Sequence, residues 1–496
     1  MIAASISELG LGKLAAEQAA APAPVVVSKK KIDIVAEYAK RPAHLNLVIC
    51  GHVDAGKSTL TGHLLLQTGA VDKKTVDTYA RDAARSGKGS FALAWVLDQG
   101  AEERARGVTI DVGVHHFTTP SGSRVYTVLD APGHRDFIPN MISGAAQADV
   151  AVLVVDATEG EFEAGLHGGG QAREHLLLVK SLGIPRLVIA VNKMDVVAWR
   201  QDRFAVIVAE LEIFLRSIGY DPETQVAFVP TSGLAGTNLT TRVSETESAW
   251  AARGKSLIEV LDTLPIPTRP VAKPLRIPVT DYAKGGSASG SVTVWGRIEA
   301  GGVQVGDVVR VMPLGEDATV RAVDIDGQDD QQRWAATGDH VALSLAGLDP
   351  QQLSAGLVIC DRARPVLVTN RVEAKLVVFD LKVPITLGFP MILHQGSVNE
   401  PASITQLIAV LDKRDGKITK KNPRVLTKGM TALVEISTER PVCLEPFTES
   451  REFGRFMLRK GGETLAAGIV SKVVSLYQPA AMRAESRSSS AWSLNE

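Results

Sequence analysis

Cysteine is nearly absent: there are three in 496 residues, Cys50, Cys360 and Cys443, far apart and in no CxxC pair. Neither a disulfide framework nor a cysteine zinc site can be built from them, which fits a reducing compartment. Long hydrophobic runs are missing as well. Apolar stretches such as DVAVLVVDA at 149–157 are strand-length and fall short of the roughly 18 residues that a membrane-crossing helix needs. The first residues show no basic start followed by a long apolar stretch, so the secretory pattern is lacking too. Nor does one sign of charge prevail. With 54 Lys and Arg against 55 Asp and Glu, the chain does not coat nucleic acid through a global positive field, and only local basic patches are left. These absences describe a soluble cytoplasmic protein that makes no membrane contact.

The chain is too long for one core, and about 150 residues per domain suggests about three domains. Residues 1–40 are Ala-rich, then Pro-rich, then basic, which predicts a disordered linker or tail. From 41 to 265 the near-continuous Val/Ile/Leu runs LNLVIC, VYTVLD, VAVLVVD, LVIAVN and VAFVPT alternate with amphipathic stretches. Such runs belong to strands covered on both faces, so this is an α/β domain with a mostly parallel sheet. LPIPTRPVAKP (264–274) holds four prolines and marks a boundary. Beyond it, short alternating strands with glycine turns predict two antiparallel β-barrel domains, at 266–365 and 366–478 with a break near Arg364-Pro365. The Ser-rich end, 479–496, reads as a disordered tail.

The first apolar strand runs directly into GHVDAGKST, a GxxxxGK[ST] loop followed by a helical stretch, which is the context a phosphate loop requires. Gly51, His52, Val53, Asp54, Ala55, Gly56, Lys57, Ser58 and Thr59 are the expected phosphate-binding set. The two glycines let backbone N–H groups face the phosphates at a helix N-terminus, Lys57 brings a point charge to the β- and γ-phosphates, and the Ser58 hydroxyl can coordinate Mg²⁺. One strand downstream, DAPGH places Asp130 to hold Mg²⁺ through water and the Gly133 N–H to meet the γ-phosphate. NKMD (Asn192, Lys193, Met194, Asp195) follows two strands later. The Asp195 carboxylate matches the N1–H and exocyclic amine of guanine, whereas adenine would leave that charge unpaired. Asn192 braces the loop, and the Lys193 stem lies across the base. TSGL then brings Ser232, Gly233 and Leu234 within reach of the guanine carbonyl. Alone, AEERARGVTIDVG (101–113) reads as a solvated helix end. Between the phosphate loop and DAPGH it becomes a nucleotide switch, with the Thr109 hydroxyl joining Mg²⁺ and the γ-phosphate in the GTP state.

With GHVDAGKST, ERARGVTIDVG, DAPGHRDFIPNMISGAAQADVAVLVVDA, NKMD and PTSGL together, the chain resembles translational GTPases of the elongation factor one-alpha group over residues 32–477. The resemblance implies a P-loop GTPase domain followed by two β-barrels, with GTP, GDP and Mg²⁺ as ligands. It also implies that His134 positions the attacking water and that Val53 and Val108 form a hydrophobic gate. Within the group the match looks closest to the HBS-like ribosome-rescue GTPases, through ERARGVTIDVG, VPTSGLAGTNL and TKKNPRVLTKGMTALVEI. That branch implies a monomer that delivers a Pelota-type factor to stalled ribosomes in mRNA quality control, touching ribosomal RNA near the GTPase centre. A release-factor-three-type termination GTPase, an elongation factor delivering aminoacyl-tRNA and a non-hydrolysing GTP-gated scaffold are the alternatives. The HBS-like branch commonly carries a longer N-terminal extension with a small folded domain. Here about 40 linker-like residues precede the G domain.

Overall fold

The computed structural model describes residues 31–85, 92–97, 101–106, 109, 111–167, 170–284, 291–328, 332–379, 381, 383–412, 415–479 and 481–482. Six of its strands form one sheet: β1 (Ala43–Gly51), β2 (Gly113–Thr118), β3 (Arg124–Asp130), β4 (Val150–Asp156), β5 (Arg186–Asn192) and β6 (Val226–Pro230). Their order is β2-β3-β1-β4-β5-β6, with β2 antiparallel to β3 and every other neighbour pair parallel. The apolar runs are continuous because both faces of the sheet are covered. Val48, Leu129, Leu153 and Ile189 pack into one core, while Leu47, Val128, Val152 and Val188 pack into the other. Parallel pairing sends the C-terminal ends of β1, β3, β5 and β6 to the same edge, where ligands bind in open α/β sheets. Each of the four nucleotide motifs begins at one of those ends.

The proline-rich stretch carries no regular structure from 265 to 274. Beyond it, six strands between Arg276 and Asp361 close into an antiparallel barrel. A second ring follows between Val368 and Ser475, closed by pairing of Pro390–Gln395 with Val398–Leu411 and extended at its edge by the short strand Ile418–Lys421. Alternation puts one face of each strand inside, as in Val372, Ala374, Leu376 and Val378 of the second barrel.

The G domain meets the first barrel through buried charge. Asp149, just before β4, accepts from Arg269 Nη1 and Nη2 at 2.7 and 2.6 Å and from Arg297 Nη2 at 3.0 Å. Burial would raise the Asp149 carboxyl, but Arg297 and Arg269 outweigh it and hold it below the ordinary carboxylate value. Arg297 also pairs with Glu299, a carboxyl that burial pushes up to about 7.

Two expectations about the termini change at their inner ends. The linker predicted through residue 40 is ordered at its end. Asp33 caps the helix Ile34–Tyr38, Ile34 packs beside Gly302 of the first barrel, and the Arg41 guanidinium lies 3.8 Å over the Trp334 ring while bonding Asp339 at 2.7 Å. At the other end, Pro479 is buried and Met482 packs against a small core containing Met312 and Phe453, so the tail does not begin at 479. Residues 1–30 and 483–496 lie outside the described residues.

Candidate nucleotide site

The phosphate loop is a backbone construction. Gly51 (φ 147°) passes so close to β4 that a Cβ there would lie 2.2 Å from the Val154 carbonyl oxygen, and only glycine can pass. Gly56 (φ 88°) then turns the chain into the helix Lys57–Gln67, whose first-turn N–H groups have no partner within the helix and face the loop. Lys57, almost buried, donates from Nζ to the His52 carbonyl at 2.8 Å, curling its ammonium back over the loop. Gly133 lies directly against it, since a Cβ at 133 would be 2.4 Å from Lys57 Nζ and 3.0 Å from the Gly51 carbonyl oxygen.

The three residues expected at the metal come together from three separate segments. Ser58 Oγ donates to Asp130 Oδ2 at 3.2 Å and lies 3.3 Å from Thr109 Oγ1. Two hydroxyls and one buried carboxylate are hard oxygen donors, and such a sparse set leaves most positions to water and phosphate, as Mg²⁺ prefers. No cluster of three or more His, Cys, Asp or Glu competes for a metal among the described residues.

At the base end, Asn192 is the brace. Its Nδ2 donates to the Ala55 carbonyl at 2.8 Å, and its Oδ1 accepts from Gly233 N at 2.7 Å, tying NKMD to the phosphate loop and to TSGL at once. Lys193, at φ 62°, pairs with Asp156 at 2.6 Å, which fixes the direction of its stem. Met194 is buried and its N–H bonds the Thr231 carbonyl at 3.1 Å, so Asp195 is left facing solvent. In TSGL the Ser232 hydroxyl is buried and accepts from Ala235 N at 3.3 Å, and the Gly233 amide is spent on Asn192. These two residues shape the loop from within, and Leu234 stands 62% exposed at its tip.

The His134 ring is 44% exposed and bonds within its own turn, accepting at Nδ1 from Asp136 N at 3.3 Å. Of the two gate residues, Val53 is half-buried beside the loop and Val108 lies outside the described residues. Three residues that the sequence does not single out also belong here. Gln171 and His175 bond the loop backbone at Val53 and Gly51, and His63 Nδ1 sits 2.9 Å from the Gly233 carbonyl. No motif marks them, because ordinary amphipathic helices carry all three.

Comparison with known proteins agrees with this geometry. The family "Elongation factor Tu GTP binding domain" matches residues 42–266, and "GTP-eEF1A C-terminal domain-like" matches residues 371–471. Protein HBS1 of Drosophila melanogaster is 44% identical over 461 residues, which is 93% of this chain and 67% of that protein. Elongation factor 1-alpha of Hyperthermus butylicus is 42% identical over 434 residues, covering 87% of this chain and 96% of its own length. The Ski7 GTPase-like domain of S. cerevisiae, solved with GDP and inorganic phosphate, shares the fold at a TM-score of 0.73 and 20% identity, over 89% of this chain and all of that one. The chain belongs to the elongation factor 1-alpha group of translational GTPases, in its HBS-like branch.

Proposed function

We propose that the protein, in its GTP form, delivers a Pelota-type factor shaped like tRNA to the vacant A site of stalled ribosomes and hydrolyses GTP there. The choice of partner is supported by the 44% identity to Protein HBS1, and the nucleotide switch by Thr109 meeting Ser58, which itself bonds Asp130 and so joins the switch segment to the phosphate end of the site. The Ser58 and Thr109 hydroxyls and the Asp130 carboxylate would hold a Mg²⁺ ion, which would supply positive charge to the β- and γ-phosphates. Lys57 adds its ammonium, and the Gly133 N–H meets the γ-phosphate. A bound γ-phosphate therefore favours the ordered switch, and its loss releases Thr109. A ligand shifts this balance only by its different affinity for the two states, so the partner surface is tighter with GTP than with GDP. Val53 borders the path of the attacking water, and His134 swings from its own turn to orient that water on the ribosome.

The decisive experiment titrates a Pelota-type protein, a class one release factor and aminoacyl-tRNA against the chain loaded with a GTP analogue and with GDP. Tight, analogue-dependent binding of the Pelota-type protein is expected. Binding of aminoacyl-tRNA alone would refute rescue while leaving the GTPase intact. In parallel, His134→Ala should bind nucleotide normally and lose ribosome-stimulated turnover by roughly a hundredfold or more. Unstimulated wild-type protein that still binds its partner in a GTP-dependent way would instead mark a scaffold.

A further inference from the structure

The loop that grips phosphate is itself gripped from behind by one face of the helix Gln171–Ser181. Gln171 Oε1 accepts from Val53 N at 3.2 Å, and one turn later His175 Nδ1 accepts from Gly51 N at 3.1 Å. Residues four apart share a helix face, so a single rigid element supplies both acceptors. His175 has no exposed surface, and burial, with the charges of Lys57 and His52 beside it, pushes its pKa down to about 3. The ring is therefore neutral and its Nδ1 lone pair is available, with the proton on Nε2. That Nε2 is buried and has no hydrogen-bond partner among the described residues. An unsatisfied donor in a core is costly, and leucine would fill a comparable volume without it. The imidazole is retained where its one satisfied atom holds the first amide of the phosphate loop. The far end of the helix is also anchored: Arg455 of the second barrel donates to the Leu182 carbonyl at 2.8 Å, over Gly183, where a side chain would collide with the guanidinium.

We propose that Gln171 and His175 are positioning residues for the nucleotide phosphates, fixing the Gly51 and Val53 amides without touching the nucleotide. This rests on the GTPase assignment. Removing either acceptor lets the start of the loop relax, so the donors beyond it lose their aim at the phosphates.

The test measures dissociation of a fluorescent GDP from the full-length wild type and from His175→Leu, His175→Asn and Gln171→Leu, alongside thermal melting. Asparagine carries Oδ1 the same number of bonds from the backbone as Nδ1 of histidine, so it restores the acceptor. His175→Leu should release GDP roughly tenfold faster and Gln171→Leu several-fold faster, with His175→Asn within about threefold of wild type. Rescue by asparagine is a result that a merely space-filling histidine would not give. Folded leucine variants with wild-type release, or an asparagine variant as fast as leucine, would overturn the proposal. Gln171→Leu decides the matter if His175→Leu does not fold. Wild-type protein that binds no GDP would overturn the GTPase assignment itself, and it is read before any variant.

Discussion

The two ends of the nucleotide site are built by different means. At the phosphate end the contacts are backbone amides, glycines with no room for a side chain, a nearly buried Lys57 and two acceptors behind the loop. At the base end Asp195, to which we assign the specificity, faces solvent on a loop held by Asn192 and Met194. Phosphate is the same in every nucleotide, so its end can be rigid and non-discriminating. The base must be told from its rivals, and a carboxylate that waits for two donors rejects any base that lacks them. Asn192 bonds both ends.

The largest break in this comparison comes at the base end. Asp195→Asn replaces two acceptors with one acceptor and one donor. GTP affinity should fall by about a hundredfold to a thousandfold while xanthosine triphosphate improves, as read by competitive titration. Unchanged GTP affinity would remove Asp195 from the base pocket. Next is Gly133→Ala, at the phosphate end. Its Cβ would press on the Gly51 carbonyl and displace the Lys57 ammonium, so GTP should weaken by about tenfold to a hundredfold and GDP by less. Equal loss of both nucleotides would place Gly133 away from the γ-phosphate. Smaller again is Asn192→Ala. It leaves the buried Gly233 N–H and Ala55 carbonyl without their partner, at a cost of about 1–3 kcal/mol. The melting temperature should drop, and GTP and GDP should weaken alike, by roughly tenfold. Loss of GTP alone would show that Asn192 serves only one end.

The two ends also differ in how readily they can be read from residues alone. GHVDAGKST and NKMD are legible because their chemistry is local: a tight turn needs glycine where it needs it, and the bracing Asn192 opens its own motif. The convergence of Thr109 with Ser58 and Asp130 follows from strand order: parallel pairing sets the ends of β1 and β3 at one edge, and antiparallel β2 starts at that edge, with Gly113 opposite Asp130. Gln171 and His175 were not legible, for they lie about 120 residues from the loop they hold, in a helix whose pattern only says that one face is buried. The same reason hides Asp149, whose two guanidinium partners lie 120 and 148 residues away. The helix Ile34–Tyr38 escaped notice because five residues after an Ala/Pro/Lys stretch give no periodicity, and its order comes from packing on the first barrel. The Gly233 amide shows the opposite error. TSGL marks a loop tied to NKMD, but sequence cannot tell that this amide is already committed to Asn192.

Acid acts on stability instead of on affinity, at the phosphate end through His175. An exposed histidine titrates near 6.5, whereas burial holds His175 at about 3 in the fold. Between those values the unfolded chain binds a proton that the native protein refuses. The contribution of His175 to stability is thus fully present above about pH 6.5 and is lost as pH falls toward 3. His44, His116 and His394 are each pushed to about 4 by burial and add their own losses in the same window, so wild type alone cannot isolate the term. His175→Asn can, because asparagine keeps the acceptor and removes the titration. Urea unfolding of both proteins at pH 7 and pH 5 should show the variant losing less stability on acidification, by up to about 1.4 kcal/mol per pH unit for the one proton removed. Identical losses would mean that His175 takes up its proton in the folded state. The neutral ring that accepts from Gly51 N would then not be the form present, and the rigid phosphate end would lack the support on which its contrast with the base end depends.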